Sequence, residues 1–84
     1  MYIPTLDPRL VGETISHFRK KAKMSQEVLS GLADIGRTHL SAIERGVRKP
    51  TLDTFFKLAE AMNIEPNKLM KLIEDELTSD SCKL

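Results

Sequence analysis

The chain has 84 residues, 40 % hydrophobic and 30 % charged, a length that supports one small core and a balance that excludes a disordered tract. Its net charge of +1 hides a division: residues 1–49 carry nine Lys/Arg against five Asp/Glu, and residues 50–84 four against seven, so a polyanion would meet the N-terminal half. Cys82 is a lone cysteine, which excludes an intramolecular disulfide, and neither a membrane-length apolar run nor a signal-peptide pattern is present, so a reducing, cytoplasmic setting is expected.

Met1 to Leu6 holds Tyr2, Ile3 and Leu6, too apolar for a solvated arm and suited to covering a hydrophobic patch on this chain or on a partner. Asp7 as N-cap and Pro8 at the first helical position open helix 1. Val11, Ile15, Phe18 and Ala22 then recur at helical spacing to about Lys23. Ser25 caps helix 2, with Glu27 in its first turn, where the helix dipole favours a negative charge. Val28, Leu29 and Leu32 give that helix its apolar face. Helix 3 runs from Arg37 to Arg45 with Leu40 and Ile43 inward, so periodicity turns Arg37, Thr38, Ser41, Ala42 and Arg45 outward. Gly46 follows as a left-handed stop, and Pro50 forces Lys49 out of the helical region. Thr51 caps helix 4, whose inward face is Leu52, Phe55, Phe56, Ala59 and Met62. Asn63 stops it, and Pro66 starts helix 5 with Leu69, Leu72 and Ile73 as apolar positions. Residues 78–84 are polar and lack a core-facing pattern, so a single domain over 1–77 with a mobile polar tail is expected.

Helices 2 and 3, short and joined by a tight turn, form a candidate helix-turn-helix. A nine-residue helix is about 13 Å long at ~1.5 Å per residue, and the DNA major groove is about 12 Å wide. The second helix could therefore present its polar face to a few base pairs.

Ser25-Gln26-Glu27, Arg37-Thr38-His39-Leu40-Ser41-Ala42-Ile43-Glu44-Arg45-Gly46 and Arg48-Lys49-Pro50-Thr51-Leu52-Asp53-Thr54 carry a resemblance. Over roughly Leu10 to Ile73 the chain resembles the lambda-repressor-like helix-turn-helix regulators, also called the xenobiotic-response-element family. Arg37 to Ser41 followed by Ile43-Glu44-Arg45 looks most like the controller proteins of restriction–modification systems. The resemblance implies an all-α, compact five-helix fold. It places Arg37, Thr38, Ser41 and Ala42 among the base readers, and Gln26, Arg45, Arg48 and Lys49 on the phosphates. Arg37 suits guanine O6 and N7, and Thr38 a thymine methyl or polar base edge. The family commonly pairs an Arg in this part of helix 1 with the Glu near the end of the recognition helix, here Arg19 with Glu44.

Several residues depart from the family pattern. Asp34 stands where Gly is usual, Gly36 replaces a Ser or Thr cap, and Ala42 replaces a larger side chain. Gly31 lies inside helix 2 at a cost of about 1 kcal/mol relative to Ala.

Other chemistry finds little footing. Lys20, Lys21 and Lys23 beside Arg19 read as a solvated basic face. His17, His39 and Cys82 have neither the spacing nor the ligand count of a zinc site. Ser16-His17 lacks a partner acid in register, and there is no P-loop or dinucleotide fingerprint. The expectation is no catalysis, no metal and no cofactor. What remains is a sequence-specific double-stranded DNA-binding transcriptional regulator. One recognition helix reads too few base pairs to select a site among ~10⁶–10⁹ competitors. A homodimer on a symmetric operator is therefore expected, joined through helix 5 and the end of helix 4 by Met70, Leu77, Tyr2 and Ile3. An antitoxin-like protein-interaction module that also autoregulates, and a phage repressor, are the alternatives.

Overall fold

Five helices follow one another as α1 (Pro8–Lys21), α2 (Gln26–Ala33), α3 (Arg37–Glu44), α4 (Leu52–Ala61) and α5 (Pro66–Cys82) in the computed structural model, which describes residues 6–82. The architecture is the all-α, five-helix one expected from the sequence. Three helices begin with side-chain caps that satisfy otherwise unpaired backbone donors. Asp7 accepts from the Arg9 N–H at 2.9 Å, Ser25 from Val28 at 3.0 Å and Thr51 from Thr54 at 3.1 Å. Each of the first four helices is followed by one left-handed residue: Lys23 (φ 60°), Asp34 (φ 56°), Gly46 (φ 77°) and Asn63 (φ 59°). These turns redirect the chain between helices; of the consecutive pairs, α2 packs on α3 and α4 on α5.

α2 packs between α3 and α4, while α1 packs against α3 and α5, and α4 against α5. All five contribute to one core, in which Ile15, Leu29, Leu40, Ile43, Leu58, Leu69 and Ile73 are wholly buried.

Several inward faces differ from those the spacing predicts. Leu29, Ser30 and Ala33 are the buried residues of α2, while Val28 and Leu32 are 49 % and 61 % exposed. In α4, Thr54, Phe55, Leu58 and Ala59 turn inward, and Leu52 and Phe56 are exposed at 71 % and 49 %. Ala22 and Leu72 are exposed as well. Helix ends also move. α1 stops at Lys21 and α3 at Glu44, with Arg45 as its C-cap. Helix α5 continues to Cys82, through most of the stretch expected as a tail. No Gly or Pro interrupts the sequence after Pro66, so nothing there breaks the helix. Tyr2 and Ile3 lie outside the described residues, and Leu6 packs partly buried against the core.

Gly12 is where α1 meets the last turn of α3. A Cβ there would overlap the Ile43 carbonyl oxygen and stand 2.7 Å from that of Glu44. Both are backbone atoms, so a methyl group could be admitted only by separating the helices. Gly12→Ala should lower stability by about 1–3 kcal/mol, the usual cost of overpacking, read as a lower urea midpoint. A midpoint equal to wild type would contradict this contact.

Candidate nucleic-acid interface

The turn before α3 is set by backbone geometry. Asp34 adopts φ 56°, ψ 47°, its N–H reaching the Gly31 carbonyl at 3.2 Å, and the Ile35 N–H reaches Ser30 at 3.0 Å. Aspartate tolerates this region better than most non-glycine residues. Gly36 is the N-cap of α3 at φ −70°, with no side-chain hydrogen bond to the helix. From this start Arg37 and Thr38 are exposed, and Ser41 and Ala42 lie half-buried one turn on. Leu40 and Ile43 anchor the opposite face in the core. His39 is half-buried.

Glu44 is the one carboxylate of α3, and it faces the protein. Arg19 grips it with two of its three guanidinium nitrogens, Nε to Oε2 at 2.7 Å and Nη2 to Oε1 at 3.0 Å. The side chains are 11 % and 6 % exposed, which makes this a shielded, charge-assisted pair. The remaining arm of Arg19 donates to the Met24 carbonyl at 2.8 Å. Gln26 Nε2 donates to Glu44 Oε1 at 3.0 Å. One network therefore joins α1, the α1–α2 turn, the start of α2 and the end of α3. Among the described residues, no buried side-chain nitrogen or oxygen lacks a partner.

The Gln26 contact was not foreseen. The sequence suggests a phosphate ligand there; the structure commits one amide N–H to Glu44. A primary amide has two such donors, so the other, with the N-terminal backbone N–H groups of α2, is what this position can offer an anion.

At the far end of α3, Gly46 (φ 77°) closes the helix with its N–H on Ile43 at 3.0 Å. The N–H groups of Val47 and Arg48 both reach the Ala42 carbonyl, at 3.0 and 3.3 Å. The six-to-one bond from Val47 makes this a Schellman-type closure, which explains the glycine. Arg45, Arg48 and Lys49 project from this segment, all exposed. Lys20, Lys21 and Lys23 are exposed too, with Lys21 Nζ 5.8 Å from the centre of the Phe18 ring.

Sequence reasoning overlooked Arg9. Its backbone lies against Gly46, so it stands beside the cationic loop although far from it in sequence. A cation in the first turn of a helix opposes the helix dipole, and that oddity was the available signal.

The eight-residue α3 is about 12 Å long at ~1.5 Å per residue. It presents Arg37 at its first position and no outward carboxylate, and the exposed Arg45 follows as its C-cap. That surface can enter the groove of a polyanionic duplex. Among the described residues no group of His, Cys, Asp or Glu could hold a metal ion.

Such a pair of helices, braced by three others, defines a helix-turn-helix protein. The helix-turn-helix family model matches residues 15–69, and the chain belongs to that family. It is 39 % identical over 62 residues to control protein C.BamHI of Bacillus amyloliquefaciens, spanning 73 % of this chain and 76 % of the relative. The crystal structure of the restriction-modification controller protein C.AhdI from Aeromonas hydrophila superposes with a TM-score of 0.73 at 34 % identity, over 77 % of this chain and 98 % of that one. The fold is shared also with controller protein C.Esp1396I, solved as a tetramer with its 35 base-pair operator: TM-score 0.79, 21 % identity, 89 % of this chain and 99 % of that one.

Proposed function

We propose that this chain is a transcriptional regulator that reads double-stranded DNA as a homodimer on a symmetric operator, in the manner of a restriction–modification controller. The observation that carries the reading is the inward, paired Glu44. With its carboxylate held by Arg19, α3 shows an incoming phosphate backbone only neutral and cationic groups. Arg37, Thr38, Ser41 and Ala42 are assigned to the base edges, and Arg45, Arg48, Lys49 and the start of α2 at Gln26 to the flanking phosphates. The chain acts by binding rather than as an enzyme, and a cytoplasmic place of action goes with that role.

A homodimer through α4 and α5 is supported by one apolar surface. Leu52 and Met70, 71 % and 36 % exposed, line the same cleft of about 230 Å³, floored by Val11, Phe55 and Ile73. Phe56 continues the stripe one turn along α4 from Leu52. A contiguous apolar patch of this kind marks an interaction surface, and a two-fold dimer requires one that is complementary to itself. Leu77, expected on this interface, packs partly buried against the core instead, so Leu52 and Phe56 take its place in the proposal.

The test is salt. The logarithm of the binding constant should fall linearly with the logarithm of salt concentration, by about 0.9 for each phosphate neutralised. Arg48→Ala should weaken operator and random duplex alike and flatten that line by about one unit per subunit. Binding that ignores salt between low and physiological concentration would overturn the assignment.

A further inference from the structure

We infer that Arg9, in the first turn of α1, is a further contact to the DNA backbone, which extends the cationic rim of the recognition helix onto a second helix. The inference rests on the DNA-binding reading above. Its first support is position. A Cβ on Gly46 would lie 2.8 Å from Arg9 Cγ and 2.9 Å from its Cα. The glycine thus admits the start of α1 into direct contact with the segment that carries Arg45, Arg48 and Lys49. Arg9 therefore stands, on a separate element, beside the segment that carries three other exposed cations.

The second support is freedom. The Arg9 side chain is 78 % exposed, and its carboxylate partner, Asp7, is 3.9 Å away. An exposed pair at that distance contributes little to folding. Asp7 is in any case engaged through its other oxygen, which accepts the Arg9 backbone N–H at 2.9 Å as the cap of α1. A positive charge in the first turn also works against the helix dipole. Packing, pairing and helix electrostatics therefore give this guanidinium no strong task inside the protein.

The third support is chemistry. A guanidinium presents a fixed fork of donors that matches phosphate oxygens. Arg9 stands at the edge of the interface, on a helix other than α3, so its partner is the sugar–phosphate backbone and not a base edge.

The experiment measures binding of the full chain to a fluorescently labelled duplex of random sequence over a range of salt concentrations, for wild type, Arg9→Ala and Arg9→Lys. Arg9→Ala should flatten the logarithmic salt dependence by about 0.9 per subunit, and Arg9→Lys, which keeps the charge, should restore it. Unchanged slope and affinity in Arg9→Ala, with wild type still salt-dependent, would overturn the role of Arg9 alone. Equal flattening in both variants would overturn it too, by showing an effect of shape and not of charge. A wild-type chain that binds no duplex would remove the parent reading and this inference together. Thermal melting of Arg9→Ala should match wild type, because no core contact is lost.

Discussion

Glu44→Ala should lower the unfolding free energy by about 3–5 kcal/mol, because it strands the Arg19 guanidinium in a shielded site without its anion. The loss also frees Gln26 Nε2, which donates to the same carboxylate at 3.0 Å. A small domain has only about 5–15 kcal/mol in total, and each kcal/mol shifts the melting temperature of a chain this size by about 4–8 °C. The variant should therefore melt tens of degrees lower. Removing both charges tells burial apart from attraction. Arg19→Met with Glu44→Leu fills the same space without a charge, and should recover much of the stability. A melting curve for Glu44→Ala that overlays wild type would mean that this network contributes nothing to the fold.

Arg37→Ala should cost about 1–3 kcal/mol per half-site, so roughly 2–6 kcal/mol for a dimer on its operator. The reason is reach and geometry. Arg37 is exposed at the first position of α3, and a planar guanidinium can make two parallel hydrogen bonds to guanine. On random duplex the same substitution should cost much less, and selection from a random pool should show relaxed preference at one symmetric position. Stability should not change. An equal loss on operator and random duplex would make Arg37 a phosphate contact, and base reading would pass to Thr38 and Ser41, whose shorter reach implies a code based more on groove shape.

Local chemistry made the helices legible. Asp7, Ser25 and Thr51 accept the cap hydrogen bonds their positions predict, and Gly46 adopts the left-handed turn expected of it. Faces were harder to read, for a geometric reason. α2 carries two apolar stripes at i, i+4 spacing, Val28 with Leu32 and Leu29 with Ala33. They lie about 100° apart around the helix. Either could face inward on pattern alone, and the packing of α2 against both α3 and α4 selects the second. The same ambiguity holds for Leu52 with Phe56 against Phe55 with Ala59.

The site divides along similar lines. The family resemblance pairs Arg19 with Glu44, as the structure does, and periodicity turns Arg37 and Thr38 outward, with Ser41 and Ala42 half-buried behind them. The partners in other contacts between elements are not written in local spacing. Gln26 meets Glu44 across the whole helix-turn-helix, and Arg9 meets Gly46 through a position that reads as an ordinary helix stop. Such pairings depend on how helices cross, which spacing within one helix does not encode.

The Ala42 carbonyl, which accepts from both Val47 and Arg48, has a thermodynamic consequence. The backbone that carries Arg48 is ordered when the chain folds, so little conformational entropy is left to lose when it meets a ligand. Recognition by a preorganised loop differs in calorimetry from recognition by a segment that folds on contact. The latter shows the large negative heat-capacity change of newly buried surface, together with a heavy entropic penalty. Here the heat-capacity change on binding duplex should scale with the docked surface alone, and ion release should supply a favourable entropy that fades as salt is raised.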